Sequence, residues 1–432
     1  MNQRPDRFTD GRMREPVPLE YRPTMEKISA GNTAWVLASA ALVMLMTPGL
    51  GFFYAGLVQR KNVLSTLMHS FFALCLIGVQ WVLWGYTLSF GPDFHGIIGG
   101  LQWFGLQGVG IAPNAEYAAT IPHIAYALFQ MMFAAITPAL ITGAFAERKR
   151  FSAFIVFALL WSTFVYDPIA HWIWGSGGWL GKLGALDFAG GTVVHISSGV
   201  SALVAAWMLG PRLRVRQARE PHDRTMMLLG CALCWFGWFG FNAGSALAAN
   251  GIAAFAFMNT NAAAAAGALI WMALAWRRDG APTTSSVAAG ALAGLVAITP
   301  AAGYVTPLAS LAIGALAACA CYAAVKLRER THVDDALDVF PVHGIGGAVG
   351  ALLTGVFATV AVNSGGANGV LAGNPRQFLV QCLAVAVVWI YSAVMTFAVL
   401  KVVTWIVPLR VSARDEAIGL DASQHAERAY VA

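Results

Sequence analysis

Residues 226–276 read MMLLGCALCWFGWFGFNAGSALAANGIAAFAFMNTNAAAAAGALIWMALAW, a stretch without one Asp, Glu, Lys or Arg. The hydrocarbon core of a bilayer needs about 20 apolar residues per helix, so this run holds two spans. Charge is equally absent from Asn62 to Pro92 and from Tyr117 to Ala146. Across all 432 residues, 58% are hydrophobic and 11% charged, whereas soluble proteins carry roughly 25% charged residues. A net charge of +6 from 27 basic and 21 acidic residues, diluted in so much apolar sequence, excludes a disordered chain, a cytosolic globule and a nucleic-acid binder. The six cysteines (Cys75, Cys231, Cys234, Cys319, Cys321 and Cys382) sit in apolar runs and read as packing residues, not as a disulfide framework. The class is an all-α polytopic membrane protein.

Working outward, eleven transmembrane helices are expected, at about 34–58, 64–90, 121–146, 151–174, 190–209, 226–247, 255–276, 284–302, 306–326, 338–361 and 377–407. Small residues such as those of Ala262–Ala266 and Ala288–Gly294 let helices approach closely, so these are bundle helices. Placing the loops after spans 1, 3, 5, 7 and 9 in the cytoplasm, with the tail, puts eighteen Lys and Arg inside; only Lys182 and Arg376 fall in the opposite loops. The positive-inside rule then sets the amino terminus outside and the carboxyl terminus in the cytoplasm. Residues 1–33 hold six basic and five acidic residues and no apolar core, so they are a poorly structured extension and not a signal peptide. They either cross the membrane as a mixed-charge tail or shrink to a short leader if the true start is Met25. Residues 34–407 form the membrane domain and 408–432 a cytoplasmic tail.

An internal repeat follows. Ala135-Ile136-Thr137-Pro138-Ala139 in span 3 returns as Ala297-Ile298-Thr299-Pro300-Ala301 in span 8. Phe53-Tyr54-Ala55-Gly56 in span 1 is matched by Phe241-Asn242-Ala243-Gly244 in span 6, and His195 in span 5 by His343 in span 10. Spans 1–5 thus map in order onto 6–10. An odd number of helices per half inverts the second half, and such inverted repeats bind their substrate at the midplane between halves. The eleventh helix lies outside the repeat.

Ionisable groups inside a membrane are costly and usually face a cavity or one another. One buried histidine is most simply a satisfied core residue; two at corresponding places in glycine-rich segments point to imidazoles meeting near the pseudo-two-fold axis. A neutral imidazole has one donor and one acceptor nitrogen, so such a pair binds a small hydrogen-bonding solute or relays its proton. Phe129 and Phe133 share a face of span 3, Trp174 ends span 4, and Trp235, Phe236, Trp238, Phe239 and Phe241 crowd span 6. The plain reading of these rings is core or lipid-facing belt; the functional reading is a cation–π cage with an apolar gate. Asp187 reads as an N-cap of span 5 that holds His195 in place. Asp167 is expected to reach the outer vestibule or to snorkel. No nucleotide-loop, zinc-protease or nucleophile-elbow motif occurs, and Cys231-x-x-Cys234 lacks a second pair, so no enzyme chemistry, metal or cofactor is expected.

The strings Asp187-Phe188-Ala189-Gly190-Gly191-Thr192-Val193-Val194-His195, Gly237-Trp238-Phe239-Gly240-Phe241-Asn242-Ala243-Gly244-Ser245 and Asp338-Val339-Phe340-Pro341-Val342-His343-Gly344 resemble the ammonium transporter (Amt) family, on its bacterial Amt side rather than its Rh side. The resemblance runs from about Ala34 to the tail. It implies a homotrimer of eleven-helix protomers in the cell membrane, each with its own pore, carrying ammonium or ammonia, with methylammonium as an analogue. Trp174, Phe133 and Ser245 would form an outer recruitment site supported by Asp187. Phe133 and Phe241, flanked by Phe129, would form the constriction below it, and His195, His343 and Trp238 would line the pore. The tail from Gly419 to Tyr430 resembles the family's regulatory end, which communicates with PII signalling proteins, with Ala426 where a glycine is usual. The rival classes are a passive channel for a neutral solute and an ammonium sensor that signals through its tail. Solute flux without current would mark the first; the second tends to need an added domain, for which the residues after Val407 are too few.

Overall fold

The computed structural model describes residues 27–213 and 220–430, so the extension up to residue 26 and Arg214, Arg216 and Arg219 lie outside the described residues. Among the described residues ten helical segments are long and apolar enough to cross a membrane: span 1 (Ala30–Leu57), span 2 (Arg60–Phe90), span 3 (His123–Phe145), span 4 (Phe151–Lys182), span 5 (Gly191–Leu209), span 6 (Arg224–Gly244), span 7 (Gly251–Asp279), span 9 (Pro307–Arg328), span 10 (Phe340–Phe357) and span 11 (Pro375–Ile406). Span 8 (Thr284–Ile298) is a shorter apolar helix of 15 residues. Helices therefore stand at all eleven expected positions in a mostly helical chain, whose one small antiparallel strand pair among the described residues joins Asp93–Phe94 to Ile98–Gly99, and span 8 ends four residues before the expected 302. It stops where Thr299 precedes Pro300, a position that disfavours helical backbone. The same five residues in span 3 behave differently: its helix runs through Pro138 to Ile141. The two threonines still do the same job, each bonding the carbonyl four residues back, Phe133 (2.6 Å) and Leu295 (2.8 Å).

Polar caps fix many of the helix starts. Ser29 accepts from the Asn32 amide, Asp223 from Met226 and Asn250 from Ala253, each satisfying an otherwise orphaned first-turn donor. Span 1 consequently begins at Ala30, four residues before the expected 34.

The loops gather on two faces. On the tail face, Arg212 bonds Glu147 (2.8 Å) and Asp334 (2.8 Å), while Arg148 donates to the carbonyls of Gly210 (2.9 Å) and Asp334 (2.6 Å). Three inter-span loops are thereby tied together. Burial alone would raise the Asp334 carboxyl, but the hydrogen bonds and charge of Arg212, with the charge of Arg148, hold it down to about 2. The tail forms two short helices, Ala413–Ile418 and Leu420–His425. Lys61 Nζ donates to the carbonyls of Glu416 (3.1 Å) and Ala417 (2.6 Å), and Asn62 Oδ1 accepts from the Leu420 amide (2.8 Å). Ala426 closes the second helix at φ 55°, a left-handed conformation that glycine adopts more cheaply. On the opposite face Ser29 bonds Thr120, Phe188 bonds Pro300 and Thr359 bonds Tyr304 through their backbones. The start of span 1 and the tail thus lie on opposite faces, as an odd number of spans requires.

The halves meet at glycines. A Cβ on Gly199 of span 5 would lie 2.1 Å from the Gly344 backbone nitrogen of span 10, so the two backbones touch directly. Four π-helical turns interrupt the spans: Trp81–Gly85, Ser162–Tyr166, Gly191–Ile196 and Phe340–Ile345. Such turns are often found at functional sites, and the last two carry His195 and His343.

Candidate pore and its aromatic constriction

Span 5 is entered through a turn that saturates one carboxylate. Asp187 Oδ1 accepts from the amides of Gly190 (2.7 Å) and Gly191 (2.6 Å); Oδ2 accepts from the amides of Thr192 (2.8 Å) and Val193 (3.2 Å) and from the Thr192 hydroxyl. Gly190 sits at φ 113°, which only glycine adopts without strain. Gly190 itself stands at the N-cap, and the Asp187 carboxylate three residues earlier accepts the first-turn amides that the expected cap would serve, which fixes the turn leading to His195.

Both histidines are buried, His195 at 1% and His343 at 6% exposure. Their Nδ1 atoms lie 3.2 Å apart, so one ring donates and the other accepts. His195 Nε2 is buried and has no hydrogen-bond partner. That free nitrogen matters, because the protein leaves a strong hydrogen-bonding group unserved in an apolar setting.

Aromatic rings continue from the imidazoles toward the face opposite the tail. His195 stacks on Trp238 (centroids 5.4 Å) and Phe241 (6.0 Å), and Trp238 is anchored by Nε1 donating to Thr299 Oγ1 at 2.9 Å. Phe241 meets Phe133 at 4.2 Å, and Phe133 meets Trp174 edge-on at 6.0 Å. Phe129 contacts Phe133 at 4.9 Å from the side. Trp174 Nε1 donates to the Asp187 carbonyl (2.9 Å), and Ser245 Oγ to the Phe241 carbonyl (2.8 Å). Phe129, Phe133 and Phe241 are at most 1% exposed, so these rings are packed against one another out of reach of solvent. From Phe241 and the histidines toward the tail face runs a cavity of about 310 Å3, lined by groups such as Tyr54, Met227, Cys234 and Leu337. The structure therefore joins Trp174, Phe133, Phe241, His195 and His343 by successive ring contacts, with Trp238 packed against both Phe241 and His195 and with Phe129, Ser245 and Asp187 alongside.

Asp167 departs from expectation. It neither reaches the vestibule nor snorkels: it is fully buried, and its oxygens accept from Gln80 Nε2 (2.8 Å) and Ser89 Oγ (3.2 Å) of span 2. Those partners satisfy the carboxyl inside the bundle. Cys231 and Cys234 face different backbone carbonyls, of Ala288 and Met46, and among the described residues no group of metal-ligating side chains forms. A residue that sequence reasoning missed is Asp335, whose Oδ2 accepts from the Phe340 amide (2.7 Å) at the start of the span 10 turn. It precedes His343 by eight residues, as Asp187 precedes His195; that matched spacing was the available signal.

A model of the Ammonium Transporter Family matches residues 34–430. The chain belongs to this family. An ammonium transporter of Bacillus subtilis (strain 168) is 52% identical over 401 residues, covering 93% of this chain and 98% of that protein. Ammonium transporter Amt1 of Archaeoglobus fulgidus is 48% identical over 404 residues, covering 93% and 100%. Among solved structures, Saccharomyces cerevisiae Mep2 superimposes with a TM-score of 0.85 at 38% identity, covering 92% of this chain and 91% of that one. Members of the ammonium transporter family are membrane transporters, not enzymes, and this chain's multi-pass architecture is theirs.

Proposed function

We propose that the protein recruits ammonium at Trp174, Phe133 and Ser245 and conducts it, as ammonia with or without a separately moving proton, past His195 and His343. The observation that carries this reading is the pair of imidazole nitrogens 3.2 Å apart at the head of a mostly apolar cavity. A cation is stabilised over the Trp174 and Phe133 faces, with the Ser245 hydroxyl and nearby carbonyls as hydrogen-bond acceptors. Carrying that charge on through a greasy pore costs several kcal/mol or more. Loss of the proton at the Phe133–Phe241 constriction removes the cost, since neutral ammonia crosses cheaply. Potassium is of similar size but has no proton to lose, so the same constriction rejects it. Beyond the rings, a His195 that carries its hydrogen on Nδ1 offers ammonia its bare Nε2 as acceptor, the Nε2–H of His343 is then the donor, and the hydrogen bond between the two rings gives the stripped proton a separate route. Trp238 forms one wall, and Asp187 keeps the turn beneath His195 rigid.

The amino terminus then faces outward and the tail face lies in the cytoplasm, following the excess of basic residues in its loops. The cell membrane, a homotrimeric assembly and a PII-type partner at the tail face belong to the same reading, through the family likeness. Electrical recording on supported membranes bearing proteoliposomes tests it: ammonium and methylammonium evoke current and potassium does not. His195→Ala abolishes that current, and an undiminished, potassium-insensitive current in the variant refutes the relay.

A further inference from the structure

Where the tail folds back on the loop between spans 1 and 2 it leaves a cavity of about 300 Å3, lined by Arg60, Lys61, Asp421, Arg428 and Tyr430 among others. Three cations therefore share one concavity with a single carboxylate. Of that carboxylate, Asp421, Oδ1 accepts from the Ser65 amide (2.8 Å) in the first turn of the span 2 helix, and Oδ2 is buried without a hydrogen-bond partner. Lys61 donates only to neutral carbonyls of the tail. The Arg60 guanidinium lies 4.8 Å from the centroid of the Tyr430 ring. Among the described residues neither Arg60 nor Arg428 has an ion-pair partner.

The stack is held from behind. His222 Nδ1 lies 3.1 Å from the Val58 carbonyl and Nε2 lies 3.1 Å from the Tyr430 hydroxyl. A carbonyl only accepts, so Nδ1 carries the hydrogen and the phenol donates to Nε2. Tyr430 is thereby fixed, and with it the plane over which Arg60 rests. A preset guanidinium plane presents paired N–H groups in the geometry that suits a tetrahedral oxyanion. Like charges held in one hollow repel, and a polyvalent anion between them offsets that repulsion.

We propose that this cavity binds a phosphate-type oxyanion, either free phosphate or the headgroup of an anionic phospholipid, and that the bound anion clamps the tail to the loop between spans 1 and 2. The loop supplies Arg60 and Lys61 and the tail supplies Arg428 and Tyr430, so the site is complete only when the tail is docked. Binding to the docked form alone stabilises that form by mass action.

Amide hydrogen exchange of the full-length protein in phosphatidylcholine nanodiscs tests this, with inorganic phosphate compared against chloride at matched ionic strength. Exchange across residues 420–430 slows roughly tenfold when phosphate exceeds its dissociation constant about tenfold. A parallel arm replaces free phosphate by phosphatidic acid in the disc; slowing in that arm alone assigns the anion to a lipid. Arg60→Gln and Arg428→Gln each abolish the slowing, while Arg414→Gln, an exposed tail arginine outside the cavity, retains it. No slowing in either arm, slowing that survives both cavity substitutions, or equal loss in Arg414→Gln overturns the proposal.

Discussion

The two histidine-bearing turns are built alike and held differently. In each, a carboxylate eight residues ahead of the histidine bonds the amide five residues after itself: Asp187 to Thr192 and Asp335 to Phe340. Beyond that shared bond they diverge. Asp187 gathers three further amides and a hydroxyl, whereas Asp335 Oδ1 is buried without a hydrogen-bond partner. Burial pushes the Asp335 carboxyl up, against the opposing pull of backbone hydrogen bonds and of the Arg328 and Arg148 charges. Duplication explains the common plan. The difference shows where rigidity is concentrated: the turn next to Trp174 and the constriction is fully saturated, and the turn on the tail side is not.

The comparison breaks first at the rings. If both halves serve one pore, His343→Ala abolishes ammonium current as fully as His195→Ala does, to background on a supported-membrane recording; retention of half the current would make the pair unequal. Next come the caps. Asp187→Ala strands several buried amides and costs about 3 kcal/mol or more, while Asp335→Ala costs about 1 kcal/mol. Thermal unfolding in detergent, run side by side, reads that order, and equal losses would erase the distinction.

Acidity sharpens it further. A carboxyl whose folded-state value is raised binds its proton more tightly in the folded chain, so stability grows as pH falls through that value and the ionised form is a burden above it. Asp335→Asn, which keeps an oxygen for the Phe340 amide, therefore gains on the parent protein as pH rises; a difference independent of pH would remove this argument. Asp334 beside it runs the other way. Its stabilisation is present above the ordinary carboxyl range near about 3.9 and is lost as pH falls toward about 2. An effect as small as that of Asp335→Ala is expected at Thr192, whose hydroxyl bonds Asp187 and whose counterpart three residues before His343 is Phe340. Thr192→Val costs about 1 kcal/mol by the same unfolding measurement.

The spans were legible because a bilayer imposes one rule on every helix, long apolar runs with charge pushed to the loops. The histidine pair was legible because a polar ring is conspicuous in such runs. The π-turns were not, since one extra residue in a turn leaves no mark on composition. Asp167 was misread because its partners come from span 2, 87 and 78 residues distant in sequence, and nothing near Asp167 announces them. Asp335 hid among the charges of Asp334, Asp335 and Asp338; only aligning the two halves on their histidines isolates it. The early end of span 8 shows the same limit, since identical residues continue as helix in span 3.

Gly199 and Gly344 press main chain against main chain, and no methyl group fits between them. Any shear of one half along the other would collide there, so a rocking carrier cycle finds no play at this joint. Under the transport reading proposed above, opening falls to the swing of individual phenyl rings, Phe133 and Phe241 foremost.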